Sequence, residues 1–246
     1  LYRVWAFEGE PQSLEGQTFA WDSLQPLTLT PILPATEPLL PQLNQAEVLI
    51  ISQYGMGVAE FEASLNQAVQ KQGRLALVFR ENELAGEKLL EAYQHARAWA
   101  SQHGVPLSVN SGTFLHMLDA GFQGSEVITR LHLTERHLLE GLPLAVQTSW
   151  IDAGNAKPVS ASAHSAASLQ EAFNQKLDFA LLGAVKVTAS HPGQAGLGWE
   201  RFGQITSLCR LPVYAIGGLN PSDLLEAKRW GAHGVAMISG IKDYKA

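Results

Sequence analysis

Short apolar runs alternate with amphipathic stretches along the chain from residue 46 onwards. Runs of four or five aliphatic residues are typical of buried strands, whereas apolar positions three and four residues apart predict helices, as at Phe61, Leu65 and Ala68. On this basis strands are predicted at residues 48–52, 75–79, 107–109, 127–133, 159–163, 179–182, 213–216 and 235–238. Helices are predicted between them at residues 59–72, 83–103, 113–120, 134–140, 165–176, 199–207 and 221–230.

This order of elements predicts the α/β class and a (β/α)8 TIM barrel, in which each strand of a closed parallel sheet is followed by a helix. The alternative is an open doubly wound sheet. Its Gly-x-Gly-x-x-Gly fingerprint is missing here, because Gly55 and Gly57 have no third glycine after them. Segment 142–157 is long for a connection and is either an insertion or a flexible lid.

Residues 1–43 follow a different pattern. Alternation at residues 2–7 and 18–21 is typical of strands, and prolines at positions 26, 31, 34, 38 and 41 then interrupt any helix. We therefore expect two parts, a β and proline-rich segment at 1–43 and a barrel at 44–246. Because the chain opens in a strand-like pattern without an initiator Met, we also expect a piece of a longer protein.

Composition excludes several classes of function. The 246 residues carry a net charge of −6 and no basic cluster, which argues against nucleic-acid binding. The apolar runs have only the length of strands, so no membrane span is expected, and the first residues do not resemble a signal peptide. The single cysteine, Cys209, cannot form a disulfide framework or a cysteine zinc site, so we expect it to be packing in a cytoplasmic protein.

Glycines follow the last two predicted strands. Gly217 and Gly218 end the run LPVYAIGGL, and the run GVAMISGI ends in the same way. Backbone-rich loops after strands 7 and 8 of a barrel form a phosphate site, although tight turns without a ligand would have the same composition. The predicted phosphate cradle consists of Gly217, Gly218, Ile238, Ser239 and Gly240.

Candidate chemistry lies at the carboxyl ends of the strands, where barrel active sites are found. His164 follows the predicted strand 159–163, which is rich in small residues, and is the candidate general acid and base, or else a structural cap of the next helix. Arg80 suits a phosphate or carboxylate of a ligand, or else pairs with Glu81 or another carboxylate at the barrel mouth. Asn110 and His132 either orient a substrate or satisfy loop backbone groups. The other candidate substrate-pocket residues are Thr134, Gly183, Thr188, Ser190 and His191, the last two also being compatible with an ordinary surface loop.

Carboxylates are scarce at these strand ends. Only Glu81 and Glu135 occur there, whereas Mg²⁺ is usually held by clustered carboxylate oxygens. We therefore expect no tight metal site and no required cofactor.

Several motifs between residues 46 and 241 resemble the thiamine phosphate synthase and TenI superfamily. They are FRE at 79–81, Asn110, HLT at 132–134, SASAHS at 160–165, LLGAVKVTASHP at 181–192, AIGGL at 215–219 and GVAMISGI at 234–241. The synthase branch implies that Mg²⁺ assists the joining of a pyrimidine pyrophosphate to a thiazole phosphate. The TenI branch implies a thiazole tautomerase that needs a phosphate site and one acid–base histidine, matched by His164, and no metal.

This chain departs from the synthase pattern at its cationic and metal-binding positions. The Gln and Lys of the family's Gln-x-Arg-x-Lys are Val78 and Asn82, and the Asp of its Asn-Asp pair is Ser111. The Asp expected after HLG is absent from the stretch 134–137, and the Lys expected near Thr188 is His191. These losses disfavour synthase activity.

The first forty residues resemble the carboxyl-terminal end of MutT-type Nudix hydrolases. The resemblance is carried by FEGEP at 7–11, EGQ at 15–17, Trp21 and PATEP at 34–38, with Thr36 in place of the family's base-recognising Asn. It implies a MutT-like–TenI fusion whose hydrolase would act on a nucleoside triphosphate of the 8-oxo-dGTP type. The Nudix box that binds Mg²⁺ in that family is absent, so no hydrolase activity is expected from residues 1–43.

Three functions remain open from the sequence. The leading hypothesis is a TenI-like barrel in thiamine metabolism that binds a thiazole phosphate, with His164 as acid and base and Arg80 on the substrate carboxylate. The alternatives are a Mg²⁺-dependent thiamine phosphate synthase and a non-catalytic regulatory domain that binds thiamine phosphate. In each case the partner is a small phosphorylated ligand, and a homodimer is left open.

Overall fold

The computed structural model describes residues 7–23, 27–37, 40–72, 74–123, 128–155, 158–188 and 195–244. The chain divides into two compact units, Leu1–Gln45 and Ala46–Ala246. The sequence-based division fell after residue 43. The interpretation of the first unit as a Nudix remnant stays a prediction.

The first unit contains little regular structure in its described part. The Asp22 carboxylate accepts hydrogen bonds from the backbone N–H groups of Thr28 and Leu29, each at 2.7 Å, and the bond from Leu29 is the main reason why its pKa is lowered. Helix α1 spans Leu40–Leu43. The strand predicted at 18–21 is wrong: these residues have no partner strand in the described chain, so a ladder cannot satisfy their backbone groups. Of the strand predicted at 2–7, only Phe7 is described.

The second unit is a closed barrel of parallel strands in the order β1 to β8, which confirms the predicted (β/α)8 TIM barrel over the open sheet. The barrel closes where β1 pairs with β8, with Val48 opposite Val235 and Ile50 opposite Met237. The strands span Val48–Ile51 (β1), Leu75–Phe79 (β2), Leu107–Asn110 (β3), Leu131–Leu133 (β4), Ser160–Ala163 (β5), Phe179–Gly183 (β6), Val213–Ile216 (β7) and Gly234–Met237 (β8).

Helices alternate with these strands, as the hydrophobic spacing predicted. Helix α3 ends at Gly104, which adopts a left-handed φ of 63° and donates to carbonyls of the last turn. The helices span Val58–Gln72 (α2), Gly86–His103 (α3), Ser111–Asp119 (α4), Glu135–Glu140 (α5), Leu144–Asp152 (α6), Ala166–Asn174 (α7), Gly198–Thr206 (α8) and Leu224–Arg229 (α9).

Two predicted segments differ from the structure between β3 and β5. Of the strand predicted at 127–133, residue 127 lies outside the described residues and the strand in the rest is Leu131–Leu133, because its pairing with β3 begins at Leu131, opposite Val109. Within the long connection 142–157 the chain forms helix α6, which buries Val146 and Trp150 in the core. This connection is therefore a packed helix in its described part and not a flexible lid.

Alternate side chains of each strand enter two different layers. Val48 and Ile50 point outward into the core between sheet and helices, whereas Leu49 and Ile51 belong to the cluster inside the barrel. The interior is filled by side chains, including that of Tyr214, so the barrel is a solid support and not a channel. The carboxyl ends of the strands meet at one mouth.

Candidate functional site

A cavity of about 300 Å³ lies at the mouth formed by the carboxyl ends of the strands. We call it the central cavity. It brings together eight residues predicted from the sequence, from the ends of β2, β3, β4, β5, β6, β7 and β8. These residues are Arg80, Asn110, Thr134, His164, Gly183, Thr188, Gly217 and Ile238.

The imidazole of His164 has a defined orientation in this cavity. Its Nδ1 atom lies 2.7 Å from the carbonyl oxygen of Gly183. A carbonyl oxygen only accepts, so Nδ1 carries the hydrogen and donates it. Nε2 is therefore the nitrogen that remains for a ligand, as a base when the ring is neutral and as a donor when it is protonated. The residue is exposed at the mouth.

Two side chains hold the backbone of His164. Its N–H group lies 2.7 Å from Oε1 of Glu135 and 3.2 Å from the hydroxyl oxygen of Ser168. Ser165 caps helix α7 in a reciprocal capping box with Ser168. Ser165 therefore caps helix α7. The ring of His164 does not cap this helix, which was the alternative role considered from the sequence.

Glycine is required at two positions of the predicted phosphate cradle. Gly217 and Gly218 have φ angles of 104° and 66°. A Cβ atom on Gly217 would lie 2.5 Å from the Cα atom of Ala184. The loop after β6 runs this close because Val185 N–H donates to Ile216 and Lys186 N–H donates to Gly217. Among the described residues, the N–H groups of Gly217 and Gly218 donate to no backbone acceptor.

A second cavity of about 380 Å³ adjoins the central cavity over these glycines. We call it the cradle cavity. Gly218 and Ser239 line it, so the loops after β7 and β8 do lie side by side at one rim. Two buried oxygens of lining residues, Gln53 Oε1 and Thr188 Oγ1, have no hydrogen-bond partner in the described part of the chain. Unsatisfied buried polar atoms are costly, so a polar ligand would satisfy groups that the protein leaves unpaired.

Gly240 has a packing role that the sequence did not reveal. It is buried in the short 3-10 helix Ser239–Asp243 and does not line either cavity. A Cβ atom on Gly240 would lie 2.1 Å from the carbonyl oxygen of Leu219. Gly240 therefore allows the loop after β8 to approach the loop after β7.

Arg80 reaches the central cavity from the end of β2. The ion pair with Glu81 that was considered from the sequence is not formed. Within the described chain, no carboxylate lies within salt-bridge distance of the Arg80 guanidinium. The Glu81 side chain is buried instead and accepts a hydrogen bond from the N–H of Tyr54 at 2.8 Å. Desolvation by burial lowers the pKa of the Arg80 guanidinium, but the residue remains exposed to solvent and an arginine stays charged. Its charge is available to an anionic ligand.

Asn110 and Thr134 each combine a local structural role with a place in the cavity wall. Asn110 Oδ1 accepts from the N–H groups of Gly112 and Thr113 and so caps helix α4. Thr134 Oγ1 accepts from His137 N–H and caps helix α5. Helix caps fix side-chain orientation, so these two polar groups are rigid parts of the mouth.

His132 does not contact the central cavity, contrary to the prediction. It is 1% exposed, and its two ring nitrogens lie 2.9 Å from the hydroxyl oxygens of Ser160 and Ser162. Burial, with a smaller contribution from the charge of Arg80, lowers the pKa of His132 to about 3. The imidazole is thus neutral and orients Ser162, which does line the cavity.

At the positions where the family resemblance implies carboxylates that bind a metal ion, this chain has a serine and a histidine, Ser111 and His137. Ser111 is fully buried, and its Oγ lies 2.7 Å from Nδ1 of His137 and 3.0 Å from the N–H of Thr134. No group of three or more His, Cys, Asp or Glu side chains in the described ranges could hold a metal ion. A hydroxyl and an imidazole bonded to each other do not fit Mg²⁺, which prefers carboxylate oxygens.

Some site residues were missed or cannot be placed. Ser190 and His191 lie outside the described residues. Glu135 was seen at a strand end but given no role, Ser162 was seen only as part of a motif, and Gln53 was not among the candidate site residues, yet all three line these cavities. The signal that could have found them is their position: Gln53 and Glu135 lie two residues beyond β1 and β4, and Ser162 lies within β5. Charge and periodicity alone do not mark such positions.

Comparisons with known proteins agree with this architecture. A family model described as thiamine monophosphate synthase matches residues 48–241. A Geobacter sulfurreducens relative is 31% identical over 163 residues, which cover 66% of this chain and 70% of that protein. The thiamine-phosphate synthase of Synechococcus sp. WH7803 is 30% identical over 206 residues, covering 81% of this chain but only 53% of that protein.

A solved structure shares the fold. Thiamine phosphate pyrophosphorylase from Pyrococcus furiosus superposes with a TM-score of 0.56 at 19% sequence identity, over 82% of this chain and 93% of that one. In the described ranges no helix has the length and apolar character needed to cross a membrane. The match over residues 48–241, together with the barrel and its mouth, shows that this chain belongs to the thiamine monophosphate synthase family.

Proposed function

We propose that the barrel binds a thiazole phosphate and that His164 moves a proton on its ring, so that the protein is a metal-independent tautomerase of thiamine metabolism. The observation that carries this proposal is the hydrogen bond from His164 Nδ1 to the carbonyl of Gly183, which leaves Nε2 for the ligand. Histidine can accept and return a proton near neutral pH, which a tautomerisation requires.

The phosphate would bind at the cradle. The N–H groups of Gly217 and Gly218, which donate to no backbone acceptor among the described residues, would supply donors at the rim. The hydroxyl of Thr188, which has no hydrogen-bond partner in the described part of the chain, would add another. Backbone N–H groups in such concave loops bind anions without needing a lysine or a metal ion. The heterocycle would then occupy the adjoining central cavity beside His164.

Arg80 supports a substrate that also carries a carboxylate. Its guanidinium lines the central cavity, and no described carboxylate neutralises it. Arginine binds carboxylates through two parallel hydrogen bonds. A carboxythiazole phosphate presents a phosphate and a carboxylate in one small molecule, which matches the cradle and Arg80.

A second candidate is the synthase reaction, in which a pyrimidine diphosphate is joined to a thiazole phosphate with Mg²⁺. The names of the relatives favour it more than they favour an isomerase. Two features favour the tautomerase instead. They are the hydrogen-bonded pair Ser111–His137 and Asn82, which replaces the expected lysine.

One set of assays separates these candidates. Purified protein is given the non-aromatic carboxythiazole phosphate in EDTA, and conversion to the aromatic tautomer is followed by ultraviolet absorbance. We expect turnover, and a roughly 10²- to 10⁴-fold lower kcat in His164→Ala. His116→Ala, at an exposed site on α4, is the matched control.

A parallel reaction contains the pyrimidine diphosphate, thiazole phosphate and Mg²⁺. Formation of thiamine phosphate there, with no tautomer in EDTA, would establish the synthase. Tight binding of thiamine phosphate without either reaction would instead indicate the regulatory domain. An unchanged tautomerisation rate in His164→Ala would remove the proposed role of the imidazole.

A further inference from the structure

We propose that Ser160 fixes the direction of a hydrogen-bond chain through His132 to Ser162, so that the Ser162 hydroxyl presents its hydrogen to the ligand in the central cavity. The cavity thereby selects a heterocycle that has an acceptor atom at this point. Ser160 and His132 are positioning residues, and Ser162 is the group that contacts the ligand. The ligand part of the inference rests on the proposed function, whereas the direction of the chain does not.

Three side chains from two neighbouring strands form this hydrogen-bond chain. The pairing of β4 with β5 sets His132 opposite Ser160. Nδ1 of His132 lies 2.9 Å from Oγ of Ser160, and Nε2 lies 2.9 Å from Oγ of Ser162. Ser160 and His132 are buried, whereas Ser162 is half-buried and lines the central cavity. The chain therefore runs from the barrel interior to the ligand.

The neutral imidazole of His132 allows two directions. It has one N–H donor and one acceptor nitrogen, so it accepts from one serine and donates to the other. If Nδ1 carried the hydrogen, Nδ1 would donate to Ser160, and the hydroxyl hydrogen of Ser160 would have no acceptor among the described residues. Buried donors without an acceptor are rare and costly, so this direction is disfavoured.

The opposite direction leaves no buried hydrogen without an acceptor. The Ser160 hydroxyl donates to Nδ1, and the Nε2–H group donates to Ser162. The hydrogen of Ser162 then has no acceptor in the described part of the protein and lies at the cavity wall, where a ligand accepts it. The mouth thus offers a hydrogen-bond donor at Ser162 close to the proton-accepting Nε2 of His164.

The acceptor that matches this donor lies on the heterocycle. In the proposed function the cradle binds the phosphate and Arg80 binds a carboxylate, which leaves the ring for Ser162. The nitrogen of a thiazole ring carries no hydrogen and accepts hydrogen bonds. Thiophene has a C–H group in place of this nitrogen and nearly the same shape. A thiophene analogue of the ligand is therefore the matched probe.

The direction of the chain is measured in the ligand-free protein by ¹⁵N nuclear magnetic resonance at about pH 8.5, where imidazoles are neutral. Protonated and unprotonated ring nitrogens have well-separated ¹⁵N shifts, and His132→Gln identifies the signals of His132. We expect the Nε2–H form for His132 and, as an internal comparison, the Nδ1–H form for His164, whose Nδ1 donates to Gly183. In Ser160→Ala the Nδ1 signal of His132 should move downfield, because that nitrogen loses its donor.

The ligand part is measured by calorimetry with thiazole phosphate and its thiophene analogue, neither of which carries a carboxylate. We expect the wild type to bind thiazole phosphate roughly three- to tenfold more tightly, which is the value of one uncharged hydrogen bond. Ser162→Ala should bind both probes equally. The matched control is Ser101→Ala, at an exposed site on α3, which should keep the preference.

Either measurement can overturn the inference. An Nδ1–H form of His132 would reverse the direction of the chain, and equal binding of the two probes by the wild type would remove Ser162 as a donor to the ligand. Both results would leave phosphate binding, and with it the proposed function, intact. If the wild type binds neither probe, the proposed function and the ligand part of this inference fail together, while the ¹⁵N shifts still decide the direction of the chain.

Discussion

The two halves of the barrel mouth differ in whether backbone groups or side chains form them. The half that follows β6, β7 and β8 is shaped by backbone, through Gly183, Gly217 and the turn at Ser239. The half that follows β2, β3 and β4 depends on side chains, and there the residues implied by the family are replaced, as at Ser111. We call these halves the backbone half and the side-chain half.

This difference shows which part of a site tolerates sequence change. An anion site made of N–H groups survives as long as glycines keep the loop conformation, whereas a metal site is lost when one carboxylate becomes a hydroxyl. In the proposed function the backbone half therefore selects the kind of ligand, a phosphate. The side-chain half decides what chemistry is done to it.

The largest expected effect comes from breaking the backbone half. Gly217→Ala forces a side chain into a φ of 104° and against Ala184, so we expect loss of phosphate binding and roughly 1–3 kcal/mol lower stability. Gly121→Ala is the control, since Gly121 also has a positive φ of 83° but nothing within 4 Å of its Cβ position. Calorimetry and thermal unfolding measure the two effects. Phosphate binding retained by Gly217→Ala would contradict the assignment of the cradle.

Removing the charge of the side-chain half should have the next largest effect. Arg80→Ala is expected to raise KM for a carboxylated thiazole phosphate by roughly ten- to hundredfold, the value of a charged hydrogen bond. KM for the same molecule without its carboxylate should not change. Arg97→Ala, at an exposed site on α3, controls for the loss of one positive charge. A similar rise for both substrates would show that Arg80 does not read the carboxylate.

Lowering the pH should reduce the stability of the folded protein through His132, which lies in the side-chain half. The folded state holds this imidazole neutral, with its pKa lowered to about 3, whereas the unfolded chain protonates it near pH 6.5. Because the unfolded state binds the extra proton, stability falls as the pH drops from about 6.5 towards 3, by at most about 1.4 kcal/mol per pH unit. Denaturant unfolding in His132→Gln should show a shallower pH dependence. Parallel curves for the two proteins would contradict the neutral imidazole.

The smallest effect is a gain of weak binding. Ser111→Asp combined with His137→Asp replaces the hydrogen-bonded pair by two carboxylates, and should bind Mn²⁺ with a Kd on the order of millimolar, measured by electron paramagnetic resonance. Ser111→Ala, which removes the hydrogen bonds of the hydroxyl to His137 and Thr134 without adding a carboxylate, should bind none. Failure of the double variant to bind Mn²⁺ while folded would show that more than these two positions separates this mouth from a metal site.

The sequence predicted the fold, and it predicted that the glycine loops after β7 and β8 share one rim, because both features have local signatures. Apolar runs of strand length and apolar residues at helical spacing repeat along the barrel sequence, and the glycines after β7 and β8 can be read directly from the sequence. The short β4 and helix α6 were not predicted, because Leu131–Leu133 and the packing of Trp150 depend on neighbours distant in the chain.

The side-chain half was predicted less well for the same reason. The pairing of β4 with β5 sets His132 opposite Ser160, and this register makes the histidine a buried acceptor and donor instead of a pocket residue. Glu135 touches His164 across 29 positions of sequence, a contact that no spacing rule reveals. Contacts between residues distant in the chain, and not the residue types alone, therefore determine the roles of His132 and Glu135.

The most direct test of the account is a calorimetric titration of the wild-type barrel with thiazole phosphate in EDTA, repeated with Mg²⁺. The backbone half predicts binding of one ligand in EDTA, with an affinity that Mg²⁺ leaves essentially unchanged. Binding that appears only when Mg²⁺ is added would contradict it, because the phosphate would then be held by a metal ion and not by the N–H groups after β7 and β8.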